Sequence, residues 1–90
     1  MLPPTFNTGA QLWSYATGDL VESSPAVAKG VVYVGSGAQF FSVGNMYALD
    51  ASTGTLLWSY ATYRVNSSPA VVNGMVYVGS AHDIYAFGLK

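Results

Sequence analysis

The sequence predicts an all-β fold made of repeated four-stranded antiparallel sheets, and three observations predict it. The hexapeptide "LWSYAT" occurs at Leu12 and again at Leu57, "SSPAV" at Ser23 and Ser67, and "VYVGS" at Val32 and Val76, always in the same order. Short apolar runs of period two lie within and between these strings, punctuated by Gly, Pro, Asn and Asp, which is the pattern of strands and turns. No stretch keeps an apolar period of about 3.6 residues over several turns, so no helix is expected.

Aligned on the repeats, "TGAQLWSYAT" stands over "TGTLLWSYAT", "SSPAVAKGVVYVGS" over "SSPAVVNGMVYVGS", and "MYALD" over "IYAFG". The first copy is longer, with one extra residue between Thr17 and Ser23 and six between Ser36 and Tyr47. Insertions within such an array fall in loops on one face.

Each unit reads as four strands. The aromatic-rich runs at 10–16 and 55–61 come first, with Leu12 facing away from Trp13 and Tyr15, and Leu57 away from Trp58 and Tyr60. Such residues suit a pleated, half-buried surface. Next comes "SSPAV", whose Pro25 or Pro69 belongs at a strand start or edge because it has no N–H for the ladder. Lys29-Gly30 and Asn73-Gly74 then mark tight hairpins, since both central residues of a type I′ turn need positive φ. The runs "VVYVG" and "MVYVG" are apolar at nearly every position, so both of their faces should be covered. The last run ends in "DASTG", where Asp50 can accept hydrogen bonds from the amides of Ser52 or Thr53 and Gly54 can turn the chain.

Four-stranded units of about forty residues, buried on both faces, match the blades of a β-propeller. The stretch from Ala48 to Trp58, "ALDASTGTLLW", resembles the repeat of the pyrroloquinoline-quinone (PQQ)-like propellers, whose hallmark is a tryptophan-docking motif. By that resemblance Ala48, Asp50, Thr53, Gly54 and Trp58 fill the motif in full. The first copy keeps Thr8, Gly9 and Trp13, with Pro3 and Thr5 where Ala and Asp are expected; the last reaches Ala86 and has Gly88 in the Asp position. The resemblance implies that these residues hold the outer part of one blade to the next.

It also implies a chain order of one outer strand followed by the three inner strands of the next blade. The single domain 1–90 then divides into residues 1–17, a tail with a surplus outer strand at 12–16, residues 18–62, a complete blade, and residues 63–90, a blade without its outer strand. A surplus strand at one end and a gap at the other are satisfied if copies of the chain exchange strands and close a ring, which leaves no unpaired sheet edge. Rings hold about four to eight blades, and members of the resembled family commonly have eight, so a homo-tetramer is expected ahead of a trimer. The alternative is that the chain is the C-terminal fragment of a longer quinoprotein-like propeller that binds a quinone or another small ligand.

Composition also points to burial between chains. Charged residues make up 8% of the sequence, against about 25% in ordinary soluble domains, while 51% is apolar. A lone copy would expose apolar patches of the kind that mark partner surfaces. Stabilisation by disulfides or zinc is not open to it, because the chain has no Cys and a single His, His82. Lys29, Arg64 and Lys90 are scattered singly, which is no footprint for nucleic acid. No apolar run approaches the ~20 residues that span a bilayer, and "MLPPTFNTG" lacks the layout of a secretory signal. A periplasmic or extracellular location is implied only by the resemblance.

No enzyme is expected. A quinone bearing carboxylates needs clustered cations and its metal needs clustered oxygens. The chain offers one Arg and four isolated acids, Asp19, Glu22, Asp50 and Asp83. No cofactor, catalytic or metal residue is therefore assigned. Ser80, His82 and Asp83 are too close in sequence for a catalytic triad, which draws on separate elements, and read instead as a tight turn. The segment 35–45 is Gly-rich but lacks the Lys and following helix of a phosphate loop. By strand order, residues 18–22, 37–45, 63–66 and 81–83 share one side of the disc. Phe40, Phe41, Tyr63 and Arg64 on that side form the candidate face for a protein or small-ligand partner.

Overall fold

A computed structural model describes residues 9–18, 20–37, 43–81 and 83–88. Thr8, Phe40, Phe41 and His82 lie outside the described residues. Seven strands follow one another: β1 (Ala26–Ala28), β2 (Val31–Gly37), β3 (Val43–Asp50), β4 (Leu56–Tyr63), β5 (Ala70–Val72), β6 (Met75–Gly79) and β7 (Ile84–Gly88). The first sheet has the order β1-β2-β3-β4 and the second β5-β6-β7, with every pair antiparallel. Among the described residues there is no helix.

The inner hairpins close through residues held at positive φ, 50° and 78° at Lys29 and Gly30, 49° and 76° at Asn73 and Gly74. Two successive left-handed residues give the turn a twist that matches its strands. Pro25 and Pro69 stand immediately before β1 and β5, so neither removes a ladder hydrogen bond. Behind each hairpin a serine clasps the neighbouring strand. Ser23 Oγ accepts from the amide of Gly35 at 2.9 Å and donates to its carbonyl at 3.1 Å; Ser67 repeats this on Gly79 at 3.0 and 2.7 Å.

The first sheet is a middle layer. One row across it runs Ala26, Tyr33, Ala48, Trp58. On that face Tyr33, Met46 and Ala48 pack with Val65, Val76 and Val78, joining the two sheets in one core. On the opposite face Val34, Tyr47 and Leu49 pack beneath Trp13 and Tyr15. The register of β3 on β4 shifts from Ala48↔Trp58 to Leu49↔Leu56, leaving Leu57 bulged out.

Two expected features stand incomplete within one chain. Residues 12–16, expected as a surplus outer strand with no place in its own chain, belong to no ladder among the described residues. Their exposure alternates over the first sheet nonetheless, with Trp13 and Tyr15 half-buried and Leu12, Ser14 and Ala16 exposed, as in a pleated segment. The run "MVYVG" is also covered on one face only. Val76 and Val78 are buried, but Tyr77 is 42% exposed, because among the described residues no further layer lies over the second sheet. The Cα radius of gyration, 14.1 Å, exceeds the roughly 12 Å of a compact domain of this length, as expected of an open stack.

Candidate functional site

The turn after β3 is built to receive an indole. Asp50 Oδ1 accepts from the Ser52 amide at 2.9 Å, the Ser52 hydroxyl at 2.7 Å and the Thr53 amide at 3.1 Å. These bonds, that from the Ser52 hydroxyl foremost, hold its carboxyl below the ordinary aspartate range. Thr53 Oγ1 donates to Thr55 Oγ1 at 2.9 Å, and Gly54 adopts φ 77°. Trp13 settles on this turn, donating Nε1–H to the Ala51 carbonyl at 2.9 Å. Its ring covers Gly54, where a β-carbon would stand 2.6 Å from ring atoms. Ala48, two residues before Asp50 in β3, is wholly buried on the opposite face, against the second sheet.

Trp58 holds the corresponding place one unit on. Its ring lies 5.2 Å from Phe87 and 6.1 Å from Tyr33, bridging the sheets, while Tyr60 stands edge-on to Phe87 at 5.4 Å. Tyr15 tilts on Tyr47 at 5.7 Å, as Tyr60 does on Tyr85 at 6.2 Å. A shallow groove of about 420 Å³ opens beside β7, lined by Trp58, Ser59, Tyr60, Ala86, Phe87 and Gly88.

The crossings between units also repeat. Gly37 N donates to Leu20 O at 3.0 Å, and Ala81 N to Arg64 O at 2.9 Å. Beyond Arg64 the chain dives between the sheets, so that Val65 is 1% exposed and a side chain at Gly35 would run into it. The stem of Arg64 lies over Gly37, and its Nε sits 3.9 Å from Glu22 Oε1. Of the candidate partner face, the described residues are Tyr63, 41% exposed at the end of β4, and Arg64, whose stem serves packing. Ser80 and Asp83 form a closed turn, with Ser80 N donating to Asp83 O at 2.8 Å and Asp83 N to Ser80 Oγ at 3.2 Å.

The family model described as outer membrane protein assembly factor BamB, a PQQ-repeat model, matches residues 5–87. The chain belongs to this PQQ-repeat family. No curated protein matches it. The two sheets of the PQQ-repeat chain are consistent with successive propeller blades, the first complete and the second three-stranded in the described residues.

A quinone with its metal does not fit the described side chains. They include no group of three His, Cys, Asp or Glu placed to hold a metal ion, Asp50 is engaged by its own turn, and the one Arg pairs with Glu22.

Equivalent positions of this PQQ-repeat chain differ sharply in exposure. Tyr33 is 3% exposed and its counterpart Tyr77 42%; Met46 is wholly buried and its counterpart Ile84 is 82% exposed. Val65 is buried, whereas Val21, at the same place in the preceding crossing, is 52% exposed. Sequence reasoning passed over Gly35, Val65 and the paired serines. The serines were visible as repeated letters, but the contact of Gly35 with Val65 joins residues thirty positions apart and leaves no local signal.

Proposed function

We propose that this PQQ-repeat segment is a non-enzymatic scaffold that builds a closed propeller from copies of itself. Four chains are favoured over three, because two blades per chain then give about eight, the number common among PQQ-like propellers. The observation that carries the reading is the contrast between Tyr33, 3% exposed, and Tyr77, 42% exposed, within identical "VYVGS" strings. The same apolar surface is covered in one blade and bare in the next. A bare face of this kind needs a further layer, which the second sheet supplies to Tyr33 within the chain and which the first sheet of another copy, flanked by its residues 10–17, would supply to Tyr77. A family described by an assembly factor supports a role in holding proteins together rather than in catalysis.

Native mass measurement at micromolar concentration tests the proposal. A closed tetramer or trimer is the expected result. A folded monomer would favour the second reading, in which the segment belongs to a longer propeller whose neighbouring blades cover the same surfaces. That reading draws on the same contrast in exposure and differs only in the source of the missing layer.

A further inference from the structure

We propose that the outer edge of β7, which pairs with no described strand, receives residues 10–17 of a second copy as its fourth strand, with Trp13 opposite Ala86 and Tyr15 opposite Ile84. This rests on the self-assembly reading and specifies its joint. The register is that of β3 on β4, where Ala48 faces Trp58 and Met46 faces Tyr60. Ala86 and Ile84 are the repeat counterparts of Ala48 and Met46, and Trp13 and Tyr15 those of Trp58 and Tyr60. The row Ala70, Tyr77, Ala86 in the second sheet then gains the indole that completes Ala26, Tyr33, Ala48, Trp58 in the first.

Three observations make a second copy the occupant. Residues 12–17 repeat residues 57–62 letter for letter, so the incoming strand is chemically the one that the equivalent edge already binds. The segment alternates in exposure, with Trp13 and Tyr15 turned onto its own first sheet as Trp58 is turned onto the second, and it enters no ladder. It can therefore join another sheet by its edge without leaving its seat. Within one chain the joint cannot close, because residues 9–17 cover the Val34, Tyr47 and Leu49 face of the first sheet while the second sheet lies against the Tyr33, Met46 and Ala48 face.

The fit extends past the strand. Val65 rests on Gly35; in the joined pair Val21 would rest on Gly79 of the other copy, where a β-carbon would meet nothing nearer than Ser67 Oγ at 3.3 Å. The exposed Val21, Tyr77 and Ile84 are thereby covered together. The main-chain edge supplies hydrogen bonds and the alternating side chains supply selectivity.

Paired cysteines in the full chain read the register directly. Ala16 and Asp83, both exposed, are the counterparts of Ala61 and Asn45, which face each other across β4 and β3. Directly opposed residues of an antiparallel pair stand about 5 Å apart, within disulfide reach. On mild oxidation the A16C/D83C chain should link between molecules, up to the full ring, in about tenfold higher yield than S14C/D83C, which reports a two-residue slip. The substituted positions are surface-exposed in every variant, so folding is not at stake. Native mass measured on the same samples separates the outcomes. An oligomer in which A16C/D83C does not link, or links no better than S14C/D83C, overturns the register and leaves self-assembly standing; a monomer overturns both.

Discussion

The indole of Trp13 is hydrogen bonded to the main chain of Ala51, thirty-eight residues away, at 2.9 Å. Through that bond and the bare backbone of Gly54, a segment with no ladder of its own is fixed to the first sheet at a defined depth. Ring contact and hydrogen bond are separable by substitution. Trp13→Phe keeps an aromatic ring over Gly54 and loses the Nε1 donor, at a cost of about 1 kcal/mol. Trp13→Ala loses both and should cost about 3 kcal/mol, the low end for a large aromatic because the ring is only half-buried. Urea midpoints at one fixed protein concentration read the difference, since the proposed assembly would make stability concentration-dependent. Equal losses in the two variants would mean that the hydrogen bond alone holds the segment.

Gly54 and Gly74 share a backbone conformation, φ 77° and 76°, but not a neighbourhood. Nothing lies within 4 Å of a β-carbon built on Gly74, whereas one on Gly54 would meet the Trp13 ring. Gly74→Ala should cost only the left-handed strain, about 1 kcal/mol. Gly54→Ala should cost that and unseat the indole, for a total of about 3 kcal/mol. Trp13 fluorescence, read in a Trp58→Phe background, should shift toward that of an exposed indole in Gly54→Ala and stay unchanged in Gly74→Ala.

What was legible in the sequence and what was not divides along the range of the forces involved. Asn73-Gly74 and Lys29-Gly30 announce their turns because positive φ is a local demand. The docking turn could be read from Asp50, Ser52 and Thr53, all within four residues. Tyr33 and Tyr77, in contrast, sit in the same five-letter string and differ more than tenfold in exposure, since stacking of layers decides burial and the string does not encode it. Residues 12–16 and β4 likewise share their letters, yet only β4 has a neighbouring strand. Gly35 is bare because Val65 crosses it, a long-range contact between elements that no local pattern reports.

Gly35 and Gly79 occupy the same place in the two blades and should respond differently to a methyl group. At Gly35 the methyl collides with Val65 inside the shared core, so Gly35→Ala should destabilise the chain by about 3 kcal/mol. At Gly79 its nearest neighbour is a serine hydroxyl at 3.3 Å, which can move slightly, so Gly79→Ala should cost less than about 1 kcal/mol in an isolated chain. Circular dichroism with urea checks the intrinsic costs at concentrations too low for the proposed assembly. Similar losses at both sites would show that the second blade is packed more tightly than its exposed side chains indicate.

Asp50 links the docking turn to pH. Its carboxyl is held below the ordinary aspartate value, first by the Ser52 hydroxyl and then by the amides of Ser52 and Thr53. A folded value below the unfolded one means that the unfolded chain takes up its proton first as pH falls. The stabilisation from this group is therefore fully present above the unfolded value and is lost as pH drops through the folded one, below the ordinary aspartate range. Asp50→Ala should lower the urea midpoint at neutral pH, and the gap to the parent chain should narrow steadily on acidification. Ser52→Ala, which removes the largest contribution, should move the Asp50 carboxyl titration upward when followed by carbon NMR. A gap between Asp50→Ala and the parent that stays constant from neutral to acid pH would assign the turn's stability to the geometry of the Asp side chain, with its charge contributing nothing.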